Sequence, residues 1–339
     1  MEDELEYDRI IADCTETLAA SPDDVIALVQ RGRAWYRKKN YDNAIADFDK
    51  ALSGNADRVD ALNSRGLAFS KKGEHDFAIT DFTEAILCGP TQDRLPHLYF
   101  NRGRCHYLKG VHDDAIEDLT EAIRLDPQDA RAYMTRGLVW GDLGDYLKAI
   151  TDYDLAIRND PESADAYHNR GNAWVYLGNL RKGIGDFTRA IHFDPKSAKS
   201  AVTHSSRGIA WRRKGRYAKA LADYERALEL DPRSAARRLV LGGFLACCPK
   251  RRYRDGARAL ALMTEACELT DYSDATYLNV LAAAHAEQGD FHPAIAVLHK
   301  SLSRATEDDD KEDAQFCLEL YEAGEPWRLE SPSWRQRWA

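Results

Sequence analysis

Six arginines in this chain, Arg31, Arg65, Arg102, Arg136, Arg170 and Arg207, are each followed at once by glycine. Sixteen residues after each arginine stands an aspartate: Asp47, Asp81, Asp118, Asp152, Asp186 and Asp223. A guanidinium and a carboxylate can share two parallel hydrogen bonds, and a constant separation lets every pair bridge two elements in the same way. The chemistry is that of a structural tie. A buried ion pair adds little net stability over an apolar pair, yet removing one partner strands a charge at about 3–5 kcal/mol. The six pairs are therefore expected to be partly buried and to set the register between helices. Spacing alone leaves open whether each aspartate meets its own arginine or that of the next segment.

No other residues have the spacing of a catalytic or metal centre. There are ten histidines, but no HExxH and no Cys/His ligand spacing. His75 and His112 stand where sister segments have Tyr41, Tyr146 and Tyr217, so they read as packing residues. The seven cysteines (Cys14, Cys88, Cys105, Cys247, Cys248, Cys267 and Cys317) are scattered without a CxxC. They suit a reducing compartment and small core positions. GxSxG, P-loop and dinucleotide fingerprints are absent, so no enzyme, cofactor or metal is expected. A net charge of -9 argues against broad nucleic-acid binding. No apolar run reaches the roughly 18 residues that would span a membrane. The acidic opening MEDELEYD lacks the layout of a secretory signal, and the expected location is cytoplasmic.

What positions the six pairs is a repeat. The glycines after the arginines (Gly32, Gly66, Gly103, Gly137, Gly171 and Gly208, with Gly242 beyond) are spaced by 34 or 37 residues. Twelve residues after the first six come Ala44, Ala78, Ala115, Ala149, Gly183 and Ala220. Sixteen after come Phe48, Phe82, Leu119, Tyr153, Phe187 and Tyr224, and nineteen after an alanine in every case. Pro90, Pro127, Pro161, Pro195 and Pro232 close five of the segments. A glycine inside a helix costs about 1 kcal/mol relative to alanine. That cost is tolerated where two helices approach closely, with the facing alanines making room. Gly73, Gly110, Gly144, Gly178 and Gly215 read as the ends of first helices.

This pattern resembles the tetratricopeptide repeat, a 34-residue helix–turn–helix unit. The resemblance implies an all-α fold, a right-handed α-solenoid of stacked antiparallel helix pairs. In that frame the repeats are 25–58, 59–92, 96–129, 130–163, 164–197 and 201–234, with three-residue insertions near 93–95 and 198–200. Residues 1–24 form a capping half-repeat, 235–308 two divergent repeats, 309–323 a capping helix and 324–339 a Trp/Arg-rich tail. The segment ACP…RDG…ACELT…YL..LAAA.AE.GDF is similar to the closing segment of many bacterial proteins of this type, which implies a bacterial origin. The family usually packs leucine against tyrosine where this chain has its arginine–aspartate pairs.

The resemblance also implies an inner groove lined by first-helix positions two, five, six, nine, twelve and thirteen. Position six holds Gln30, Ser64, Asn101, Thr135, Asn169 and Ser206, all uncharged and able to bond a peptide backbone. Around them stand Arg33, Tyr36, Arg37, Lys71, Phe100, Arg104 and Tyr107, then Asn172 and Tyr176, then Arg212. Arginine and tyrosine are frequent interface anchors. The expected function is a non-catalytic scaffold or adaptor holding an extended, acidic protein or peptide segment. Tyr36, Phe100, Tyr107 and Tyr176 would anchor it, and Arg33, Arg37, Lys71 and Arg104 would orient it. The Lys/Asn/Lys/Arg clamp by which one subtype holds a C-terminal carboxylate is absent, since position five carries no lysine. The alternative is an assembly subunit that self-associates through its ends and its Trp-rich tail, where Trp334 and Trp338 are interleaved with Arg335 and Arg337, while Trp327 is expected to pack on the final helix.

Overall fold

The computed structural model describes residues 2–54 and 57–329. Trp334, Arg335, Arg337 and Trp338 of the tail lie outside them. The described residues form eighteen α-helices and one 3-10 turn, with no strand among them. They fall into two compact units that divide after Pro161.

The first unit begins with α1 (Glu2–Ala20) and continues as four antiparallel pairs. These are α2 (Val25–Arg37) with α3 (Tyr41–Ser53), α4 (Arg58–Lys72) with α5 (His75–Leu87), α6 (Leu95–Leu108) with α7 (His112–Leu125), and α8 (Ala130–Asp142) with α9 (Tyr146–Asn159). The second unit pairs α10 (Ala164–Tyr176) with α11 (Leu180–Phe193) and α12 (Ala198–Arg213) with α13 (Tyr217–Leu230). It goes on with α14 (Ala235–Cys247) and α15 (Gly256–Leu269), then α16 (Ala275–Glu287) and α17 (Phe291–Arg304), and ends in α18 (Asp308–Glu322). Within each unit successive first helices also touch one another: α2, α4, α6 and α8 in the first, α10, α12, α14 and α16 in the second. The exposed sides of these first helices thus form one inner face per unit.

Local chemistry sets the helix boundaries. Asp24, Asp57, Asp129, Ser163, Ser197 and Ser234 precede first helices, and each side chain accepts a backbone N–H from the first turn, worth about 1 kcal/mol per cap. Gly73, Gly110, Gly144, Gly178 and Gly215 turn the chain at positive φ, between 71° and 83°. The first pair has no glycine there, and Lys39 takes the left-handed conformation at φ 61° instead. The insertion expected near 198–200 is no loop: α12 begins at Ala198, so those residues add a turn to its start. Between Pro249 and Asp255 the chain winds through a short 3-10 turn, Arg251–Tyr253.

The repeated glycines face the paired helix at close range, as expected, and most of the contact comes from the large side chain sixteen residues on, with the Ala115 and Gly183 backbone also close to Gly103 and Gly171. A Cβ on Gly208 would stand 2.5 Å from the Tyr224 ring, and one on Gly137 2.6 Å from Tyr153. On Gly32 it would be 2.8 Å from Phe48 and on Gly103 3.0 Å from Leu119. Trp140, Trp174 and Trp211 are roofed by the ammonium groups of Lys148, Lys182 and Lys219, at 4.2, 3.8 and 4.4 Å from their ring centres.

Candidate functional site

Each of the six arginines meets the aspartate of its own repeat. In every pair Nε donates to Oδ2 at 2.8–2.9 Å and Nη2 to Oδ1 at 2.6–2.7 Å. The aspartates are buried and the arginines half-buried. The hydrogen bonds to Asp47, Asp81 and Asp118 hold the guanidinium groups of Arg31, Arg65 and Arg102 above the ordinary arginine range. At Asp223 burial alone would push the carboxyl up. Hydrogen bonds from His204 and Arg207 overcome burial and hold it below its usual value.

The remaining arginine nitrogen does something the spacing did not reveal. Nη1 reaches back to the preceding helix: Arg31 to Thr15, Arg65 to Asp49, Arg102 to Thr83, Arg136 to Thr120 and Arg207 to Thr188, at 2.6–3.1 Å. One side chain therefore closes its own helix pair and fastens it to the helix before. A signal was present in the sequence, because Asp49, Thr83, Thr120 and Thr188 each follow a paired aspartate by two residues.

On the inner face of the first unit, Tyr36 is half-buried, with its ring centre 5.7 Å from that of Tyr41. Burial raises its hydroxyl pKa, with the Arg104 charge opposing. Among the described residues, Arg37, Lys71 and Arg104 have no carboxylate partner. Arg104 is half-buried, and its Nε is enclosed without an acceptor. Other expected groove residues are already engaged or enclosed. Arg33 is paired with Asp60, so it is no unpaired cation. Phe100 is only 8% exposed and lies under the Arg131 guanidinium at 4.9 Å, so it cannot serve as an exposed anchor. Burial, with the nearby Asp142 carboxylate, raises the pKa of the Tyr107 hydroxyl. In the position-six row, Asn101 donates to Asn63 at 3.2 Å, and buried Thr135 donates to the Arg131 carbonyl of its own helix at 2.8 Å. Gln30 is exposed and Ser64 half-buried.

In the second unit, Tyr176 is 67% exposed, and Asn169, Ser206 and Arg212 are half-buried. Asn172 is the end of a hydrogen-bonded chain: its amide nitrogen contacts His168 Nε2 at 3.0 Å, and His168 Nδ1 contacts Thr203 Oγ1 at 2.9 Å. Burial lowers the His168 pKa. Farther along, the face turns apolar. Extending the repeat frame by two units places Val240 and Val280 at position six, where earlier units have polar groups. Against them lies the segment after α18. Trp327 is 4% exposed and packs with this core, Leu329 N–H donates to the Cys247 carbonyl at 3.0 Å, and Arg328 pairs with Glu287 at 2.7 Å. Trp327 is thus packed within its own chain, as expected. Among the described residues no cluster of side chains could hold a metal ion, and no helix is long and apolar enough to cross a membrane.

Models of the tetratricopeptide repeat match residues 11–58, 93–130, 102–164, 134–198, 201–234 and 275–307. No curated protein matches the chain in sequence. Among solved structures, a tetratricopeptide repeat protein from Parabacteroides merdae is 18% identical, with a TM-score of 0.57, covering 78% of this chain and 99% of its own. Pseudomonas aeruginosa pilF is 16% identical with a TM-score of 0.56, covering 67% of this chain and 99% of its own. A chain of the APC/C hetero-tetramer Cut9–Hcn1 is 16% identical with a TM-score of 0.59, covering 88% of this chain and 56% of its own. At such identities the likeness is one of fold.

Proposed function

The chain belongs to the tetratricopeptide repeat family, whose members bind protein partners, and from that premise we propose that its first unit holds an extended acidic segment of a partner protein along the inner face of α2, α4 and α6. The protein acts without catalysis, as a scaffold or adaptor. The observation that carries this reading is Arg104, a half-buried guanidinium whose enclosed Nε has no acceptor. A half-buried guanidinium without a counter-charge is a strong hydrogen-bonding partner for an incoming carboxylate. Arg37 and Lys71, also without carboxylate partners among the described residues, extend the positive charge along the face, and Tyr36 offers an apolar body beside it. Arg33 is left out of this set because Asp60 already neutralises it. The backbone-binding row shrinks likewise, with Gln30 and Ser64 as its members in this unit. We place the protein in the cytoplasm because its scattered cysteines suit a reducing compartment.

The test is capture from lysate with the full chain, compared with an Arg37→Glu/Lys71→Glu/Arg104→Glu variant of equal helicity. The retained partner should lose at least tenfold in affinity for the variant. Its binding to the wild type should also weaken as salt rises from low to physiological strength. A partner retained equally by both proteins would place the binding surface elsewhere.

A further inference from the structure

The inner face of the second unit changes character at α14 and α16. Val240 and Val280 stand at position six, which is polar in all six earlier repeats, and the residues after α18 cross over them in a non-helical conformation. We propose that this apolar end is a second peptide-binding site, held in the absence of a partner by residues 325–329. From a partner it accepts an extended segment of the same chemistry, with an aromatic residue, a cation and an aliphatic residue in succession.

Three features support the assignment. The first is that the contacts of Trp327, Arg328 and Leu329 named above are ones a separate peptide could make. Trp327 is buried against an apolar surface, Arg328 is paired with Glu287, and the Leu329 N–H donates to a main-chain carbonyl at the end of α14.

The second is that the segment does not fill its seat. A small cavity of about 20 Å³ remains between Trp327, Leu329 and the side chains of Ile209, Tyr224, Phe244 and Val280. A partner with a larger or better-placed aliphatic group would gain the contacts the resident leaves unmade.

The third is charge. Glu287 is paired through one oxygen with Arg254 and through the other with Arg328, both at 2.7 Å. When the segment leaves, Glu287 keeps Arg254, so no buried carboxylate is stranded and release is not penalised on that account. The spare oxygen is then the recognition point for a partner's cation. This site recognises a cation of its ligand, whereas the first unit is proposed to recognise carboxylates.

The experiment uses the full chain and a fluorescein-labelled peptide Gly-Glu-Pro-Trp-Arg-Leu, read by fluorescence anisotropy. In the wild type the resident competes, and binding should be weak. Trp327→Ala loosens the resident and should tighten peptide binding at least tenfold. Adding Glu287→Lys to that variant should remove the gain, and a peptide with alanine in place of tryptophan should not bind. The Arg37→Glu/Lys71→Glu/Arg104→Glu variant should bind this peptide as the wild type does, which separates the two sites. Equal affinities for wild type and Trp327→Ala would overturn the proposal, as would absence of saturable binding to a Trp327→Ala chain with an intact melting transition. Should that chain lose its transition, Arg328→Glu repels Glu287 while leaving the tryptophan in place, and the same two results decide.

Discussion

Asp118 is 4% exposed and accepts two hydrogen bonds from Arg102, whose remaining nitrogen is spent on Thr83. Asp118→Ala leaves that guanidinium half-buried and unpaired, so the variant should lose about 3–5 kcal/mol. Replacing both partners by apolar residues, Arg102→Met with Asp118→Leu, should cost less than the single change, because no charge is stranded. Urea unfolding of the three proteins checks the ordering, and a double variant less stable than Asp118→Ala would show that the ion pair is worth more than its removal. The pairing of arginine with aspartate was legible in the sequence because a fixed distance of sixteen residues recurs without exception, although which aspartate each arginine meets was not. The backward partner was hidden because its distance is 16 residues in some repeats and 19 in others, and because aspartate replaces threonine at position 49. The exposure of groove residues was hidden for another reason. Phe100 and Arg33 occupy the right positions on their helices, but Arg131 and Asp60, on neighbouring first helices, cover or neutralise them.

Between helices, the repeat's glycines separate into those that a neighbour makes obligatory and those that nothing requires. Gly185 lies within α11 with no atom within 4 Å of a Cβ built on it, whereas Gly208 faces the Tyr224 ring at 2.5 Å. Gly185→Ala should therefore stabilise by about 0.5–1 kcal/mol through helix propensity. Gly208→Ala should destabilise by about 1–3 kcal/mol, because Tyr224 has no room to yield. Thermal melts of the two variants should shift in opposite directions, and a stabilised Gly208→Ala would mean that the ring moves freely. Helix identity and pairing were readable from these same glycines and their left-handed counterparts in the turns. The seat of residues 325–329 was not, since a segment with prolines and no period states nothing about which helices it will cross.

For the molecule as a whole, stability in a repeat array is a sum of local terms and nearest-neighbour interfaces. Damage in one place should accordingly stay near it. In Asp118→Ala, hydrogen exchange should rise across α5 to α8 while amides in α15 to α17 keep their wild-type rates. Uniform loss of protection would instead reveal one cooperative block. The arginine clamp adds a direction to this locality. Each Nη1 contact is made to a helix that precedes its own arginine, and the first of them, from Arg31, lands on Thr15 of α1, a helix that carries no such clamp. In a chain emerging from the ribosome, the backward partner of every clamp has already been synthesised when its arginine appears. Only the aspartate, sixteen residues behind, has still to arrive. Assembly can thus follow the order of synthesis, each new helix pair locking onto a finished one without waiting for anything more than a helix's length ahead.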